Sequence, residues 1–115
     1  MTEHDPQMLK GVLSLLLLQL LDREDAYGYA VVTRLRDAGF DGLAEGSVYP
    51  ALTRLQAAGW LESYLVASDS GPARKYYRVT DDGRAELAER IEAWRHLRTT
   101  VSRVLAEDAP PKGAP

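Results

Sequence analysis

The sequence predicts a mainly α fold: three helices, a two-stranded β wing and a long C-terminal helix, which is the element order of a winged helix-turn-helix. Three observations predict it. Apolar residues recur at helical spacing in three successive stretches. Two segments rich in aromatic and branched residues follow, separated by the turn signal Ser68-Asp69-Ser70-Gly71-Pro72. Beyond them, Leu87, Ile91, Trp94, Leu97, Val101 and Leu105 step by three and four residues along a final helix.

Pro6 suits a helix entrance, and the spacing predicts a first helix over 7–21. The nearly continuous apolar run Val12–Leu21 is about half of the roughly 18 residues a membrane span needs, so it reads as a helix buried on most of its circumference. Glu3 and Asp5 before it, and the lack of a small-residue cleavage site after it, speak against a signal peptide. Asp22-Arg23-Glu24-Asp25 is a polar break. A second helix is expected over 27–38, with Tyr27, Val31, Val32 and Leu35 on one face and Gly39 as its stop. After a short turn over 40–44, a third helix is expected over 47–58, closed by Gly59. Ser47 as its N-cap puts Pro50 in the first turn, where proline is tolerated, whereas a start at Glu45 calls for a kink. Strands are expected over 60–67 and 74–79. Such a hairpin is marginal alone and must pack on the helices. Thr80 can cap the last helix, with Asp81 and Asp82 in its first turn. The expected division is 1–80 for the winged helix-turn-helix, 81–105 for the long last helix and 106–115 as a disordered tail.

Length and composition allow one soluble domain: 115 residues, 45% hydrophobic and 27% charged. The absence of cysteine excludes disulfides and thiolate chemistry and allows a cytoplasmic address. A net charge of −3 counts against nucleic-acid binding at first sight, but a binder can gather its cations on one face. An enzyme is not indicated. His4 falls in a start expected to be flexible, and His96 lies on a helix without an acid-base partner. No phosphate loop, zinc spacing or nucleophile elbow is present, and no metal or cofactor is expected.

Four motifs are specific in combination. Ala26-Tyr27-Gly28-Tyr29 opens the second helix, and Glu45-Gly46-Ser47-Val48-Tyr49-Pro50-Ala51-Leu52-Thr53-Arg54-Leu55 opens the third. Gly59-Trp60-Leu61-Glu62-Ser63 enters the hairpin, and Arg74-Lys75-Tyr76-Tyr77-Arg78-Val79-Thr80-Asp81-Asp82-Gly83 leaves it. Together they resemble the PadR family of transcriptional regulators over residues 8 to 105. The single C-terminal helix is similar to the small subfamily that includes multidrug-sensing repressors. Ala44 departs from the pattern, in which a polar capping residue is common.

The resemblance implies a repressor that binds double-stranded operator DNA as a homodimer. The residues support this physically, because a helix in the major groove presents side chains to base edges while its N-terminus faces phosphates. Ser47, Tyr49, Thr53 and Arg54 are the polar candidates on the third helix. Ser47 can meet a phosphate or cap the helix, Tyr49 can meet a phosphate or close the core, and Arg54 can read guanine or stay solvated. Strand alternation puts Arg74, Tyr76 and Arg78 on one face of the wing and Lys75 and Tyr77 on the other. Arg74 and Lys75, near the turn, are expected at phosphates.

The apolar seam of the last helix lacks an obvious partner in so small a domain. A second copy related by two-fold symmetry supplies one; folding back on the first helix of the same chain is the alternative, and both can hold, since the first helix is apolar nearly all round and is expected in the dimer interface as well. By similarity to the multidrug sensors, Met8, Leu15, Trp94 and Arg98 would line a slot between subunits for a flat aromatic effector, while Trp94 as a plain interface anchor is the bland alternative. A winged helix used only for protein contact also remains open; salt-dependent binding to promoter DNA separates the two.

Overall fold

The computed structural model describes residues 4–107; of the tail expected at 106–115, residues 108–115 lie outside the described residues. The element order is α1 (Pro6–Arg23), β1 (Ala26–Tyr27), α2 (Gly28–Asp37), α3 (Glu45–Ala57), β2 (Leu61–Ser68), β3 (Gly71–Val79) and α4 (Asp81–Leu105). The three helices, the wing and the long last helix stand as predicted. No helix of the described residues is long and apolar enough to cross a membrane.

α1 starts one residue earlier than expected and ends two later. Asp5 caps it, its carboxylate accepting from the Gln7 and Met8 amides. Leu13, Leu17, Leu18 and Leu21 are buried, while Leu9, Leu15, Leu16 and Leu20 pack around them half-buried. This broad apolar surface makes α1 the centre of the core, and α2, α3, α4 and β3 all lean on it.

α2 and α3 end alike. Gly39 (φ 123°) and Gly59 (φ 84°) adopt conformations that L side chains rarely take. The next amides turn back to the helix, Phe40 to the Leu35 carbonyl and Trp60 to the Leu55 carbonyl, each at 3.0 Å. Each glycine is followed by an aromatic residue that packs on the core, half-buried.

Three boundary expectations need correction. The start of the second helix is a strand: Ala26 and Tyr27 pair with Tyr77 and Tyr76, so the sheet has three strands in the order β1-β3-β2. Two residues are too short for a period to be read from sequence. β3 also begins at Gly71 rather than Arg74, because Ser68 pairs with Gly71 and carries the ladder to the turn. The third helix starts at Glu45, and Ala44 occupies the N-cap position without a side-chain bond. Ser47 is therefore inside the helix and does not cap it; its amide donates to the Ala44 carbonyl at 3.1 Å. Pro50 sits inside α3, and having no N–H it leaves the Gly46 carbonyl without its intrahelical bond.

Thr80 caps α4 as expected, accepting from the Gly83 amide at 3.0 Å. It also donates to the Gly59 carbonyl at 2.7 Å, and its amide donates to the Trp60 carbonyl. A Cβ on Gly83 would stand 2.1 Å from the Trp60 carbonyl oxygen. The first turn of α4 thus lies directly on the α3–β2 junction, which explains a glycine in a helix. Leu87 then reaches the core, and Arg84 bridges Asp22 of α1 and Asp81.

Candidate nucleic-acid interface

α3 buries Val48, Ala51, Leu52 and Leu55. Those four positions follow helical spacing, so Ser47, Tyr49, Thr53 and Arg54 are left exposed. The structure divides five of the six sequence-predicted DNA residues between the two sides of α3.

On the wing side, Tyr49, Arg74 and Lys75 share one cleft of about 310 Å³ with Tyr27, Gly28 and Tyr29. The Arg74 guanidinium lies 4.7 Å above the centre of the Tyr27 ring. The Lys75 ammonium lies 5.4 Å from the centre of the Tyr77 ring. Arg74 and Arg78 pack over Tyr27 and Tyr64 on the outer face, while Tyr77 turns into the core, in agreement with the predicted alternation. Partial burial raises the Tyr49 phenol above its ordinary value, and Glu45, Tyr77 and Tyr29 add to the effect. Tyr49 therefore stays protonated at neutral pH, with an O–H to donate.

On the other side, Ser47 and Arg54 line a cavity of about 470 Å³ together with Lys10, Leu9, Phe40 and Leu43. Lys10 was not among the sequence-predicted residues. Nothing local marks it, since only the packing of α1 against α3 brings it to this cavity. His4, expected in a flexible start, packs against Phe40 with ring centres 4.8 Å apart and planes tilted by 45°, and its Nε2 lies 3.1 Å from the Gly39 carbonyl at the rim of this cavity. Thr53 joins neither group; its hydroxyl donates to the Tyr49 carbonyl at 3.1 Å.

The distribution of charge answers the acidic total. Arg34, Arg78, Arg84 and Arg90 are each paired with a carboxylate. Lys10, Arg54, Arg74 and Lys75, on the two flanks of α3, have no ion pair among the described residues. Arg23, Arg36, Arg95, Arg98 and Arg103 also stand outside the ion pairs of the described residues, so what sets Lys10, Arg54, Arg74 and Lys75 apart is their grouping around α3.

The predicted apolar seam is also divided. Leu87 is buried in the chain's own core, and Ile91 packs against it half-buried, so within one chain the first part of the seam folds back on the head. Trp94, Leu97, Val101 and Leu105 are exposed. Of the expected effector residues, Met8 and Arg98 are exposed and Leu15 is half-buried, and neither of the two cavities above includes them or Trp94. Among the described residues, no group of three or more His, Asp or Glu side chains is placed to hold a metal ion.

Residues 17–89 match the transcriptional regulator PadR-like family. A PadR-like transcriptional regulator from Bacillus cereus is 44% identical over 86% of this chain and 96% of its own, with a TM-score of 0.77. A PadR family regulator from Eggerthella lenta is 38% identical over 86% of each chain, with a TM-score of 0.79. A PadR-like transcription factor from Bacteroides fragilis is 38% identical over 85% of this chain and 94% of its own, with a TM-score of 0.74. With a winged fold, unpaired cations flanking an exposed α3 and a family match over most of its length, this chain belongs to the PadR-like family and is a DNA-binding transcriptional regulator, not an enzyme.

Proposed function

We propose that this regulator is a cytoplasmic repressor that binds a pseudo-palindromic operator as a homodimer, with half-sites about one helical turn apart. The observation that carries the reading is the wing-side cleft, in which the Tyr49 phenol of α3 meets Arg74 and Lys75 of β3, two cations without an ion pair among the described residues. Tyr49 donates to a phosphate oxygen, and Arg74 and Lys75 neutralise the backbone and set the register of α3 in the major groove. Ser47, Thr53 and Arg54 face base edges or the second strand's backbone. The exposed seam Trp94, Leu97, Val101 and Leu105 pairs with its two-fold mate.

The same pairing brings two Trp94 rings together, and with Met8, Leu15 and Arg98 they form a slot whose occupation by a flat aromatic ligand loosens the DNA complex. Residues 1–80 form the reading head and 81–105 the pairing helix, which shares its first turns with the head.

The test is a titration of the purified protein onto a duplex from its own upstream region, followed by fluorescence anisotropy at several salt concentrations. Binding that weakens steeply with salt supports the reading. A winged helix used only for protein contact, the reading that the −3 net charge favours, gives no specific, salt-dependent shift.

A further inference from the structure

We infer that the dipeptide Tyr27-Gly28 positions the two wing-side DNA contacts, Gly28 by seating the Tyr49 ring and Tyr27 by carrying the Arg74 guanidinium. The inference rests on the proposed DNA roles of Tyr49 and Arg74.

Gly28 is the first residue of α2 and is buried. Its backbone does not require glycine, because the positive-φ glycines lie elsewhere, at Gly39, Gly59 and Gly71. What requires glycine is the neighbour. A Cβ at position 28 would stand 2.3 Å from Cε1 and 3.0 Å from Cδ1 of Tyr49. The Cε1 edge of the Tyr49 ring therefore occupies the space that the Cβ of any other residue at position 28 would fill.

A tyrosine ring has two side-chain torsions and cannot fold out of the way as a lysine can. Restoring an ordinary 3.4 Å contact means moving the ring back by about 1.1 Å, and the hydroxyl at its far end swings further. The useful range of an O–H···O bond spans only about half an ångström, so a displaced phenol no longer meets the same phosphate.

Tyr27 acts on the second contact. It is held in register opposite Tyr76 by β1–β3 pairing, its ring 5.5 Å from that of Tyr76. Arg74 rests on it at 4.7 Å, with no carboxylate partner among the described residues. A long, flexible side chain at a wing is otherwise free to sample many rotamers; stacking on Tyr27 holds the guanidinium at the mouth of the cleft that Tyr49 shares. β1, a strand of two residues, thus connects α2 to both contacts.

The experiment compares DNA affinity and thermal melting for full-length Gly28→Ala, Tyr49→Ala, the Gly28→Ala/Tyr49→Ala double variant, Tyr27→Leu, Arg74→Ala and the Tyr27→Leu/Arg74→Ala double variant on the upstream duplex. Gly28→Ala is expected to weaken binding about as much as Tyr49→Ala, roughly tenfold for a lost charge-assisted hydrogen bond. With the ring removed the seat no longer matters, so the first double variant binds within about threefold of Tyr49→Ala. Tyr27→Leu weakens binding about threefold, the order of an exposed cation–π contact, and has no further effect in the Arg74→Ala background.

A folded Gly28→Ala that binds as wild type overturns the inference, and so does a first double variant tenfold weaker than Tyr49→Ala. If Gly28→Ala alone does not fold, the double variant still decides: removal of the ring must restore both the fold and the affinity of Tyr49→Ala. A Tyr49→Ala variant that binds as wild type removes the DNA reading of Tyr49 itself, an outcome distinct from a normal Tyr49 effect with a silent Gly28.

Discussion

The two halves of α4 carry the same apolar spacing and meet opposite surroundings. Leu87 is 5% exposed, locked against α1 and the sheet, whereas Leu97 is 55% and Leu105 65% exposed. The molecule measures 66 × 34 × 21 Å, so the length of α4 reaches well past the head. Its first turns are pinned by Thr80, Gly83 and Arg84. Beyond Ile91 the helix has no further core residue. The comparison teaches that an apolar stripe states only that something covers it. In the first half the cover is the chain itself; in the second it has to come from outside, and a two-fold mate is the economical source.

The largest expected effect breaks the first half. Leu87→Ala should lower unfolding free energy by about 3 kcal/mol, because the cavity it leaves lies between packed elements; thermal or urea melting measures it. Leu97→Glu addresses the second half and should leave the melting of the isolated head nearly unchanged. It should raise the dimer dissociation constant by roughly a hundredfold, since a carboxylate would enter a dry interface. Sedimentation velocity at micromolar concentration reads this directly, and a wild-type monomer there removes the proposed pairing.

Next in size are the DNA contacts. Tyr49→Ala and Arg74→Ala should each weaken operator binding by roughly tenfold. They differ in the salt dependence. Arg74→Ala should flatten the slope of log affinity against log salt by about 2 for a dimer with two such contacts, and Tyr49→Ala should leave it unchanged. Unchanged affinity in the double variant means that the DNA face is elsewhere.

A smaller effect concerns the slot proposed at Trp94. Arg98 stands one turn along from Trp94 and is exposed. Its guanidinium disfavours a cationic ligand. Flat neutral or anionic aromatics should quench Trp94 fluorescence and loosen DNA binding, with a Trp60→Phe background removing the second fluorophore. Tight binding of a cationic dye that Trp94→Ala abolishes contradicts this.

The smallest is a pH effect. Burial, with Glu45, Tyr77 and Tyr29, raises the Tyr49 phenol, so folding favours its neutral form. That contribution is complete below the ordinary tyrosine value of about 10 and is lost as pH rises through the higher folded value. Comparing wild type with Tyr49→Phe should show a constant difference in DNA affinity from pH 7 to 9 and a decline only above that.

The sequence by itself determined whatever repeats along a few turns of chain. The buried stripe of α1, the glycine stops at Gly39 and Gly59, the Thr80 cap and the alternation of Arg74, Tyr76 and Arg78 are local patterns, and each was legible because its cause lies within a few residues. The Ala26-Tyr27-Gly28-Tyr29 motif was legible as a family mark and not as a mechanism. That Ala26 and Tyr27 form a strand, that Gly28 faces Tyr49 and that Lys10 lines one cavity with Arg54 depend on residues tens of positions apart. Only the tertiary structure decided these. The same holds for α3: propensity and Pro50 favoured a start at Ser47, but packing of Val48 and Leu52 on α1 and α2 accommodates a start at Glu45 with an uncapped first turn. Leu87 and Leu105 are the clearest case. They stand at the same angle round the helix, and only the place where the head ends makes one a core residue and leaves the other exposed, because burial is set by what the rest of the chain brings to a face and not by the face's own period.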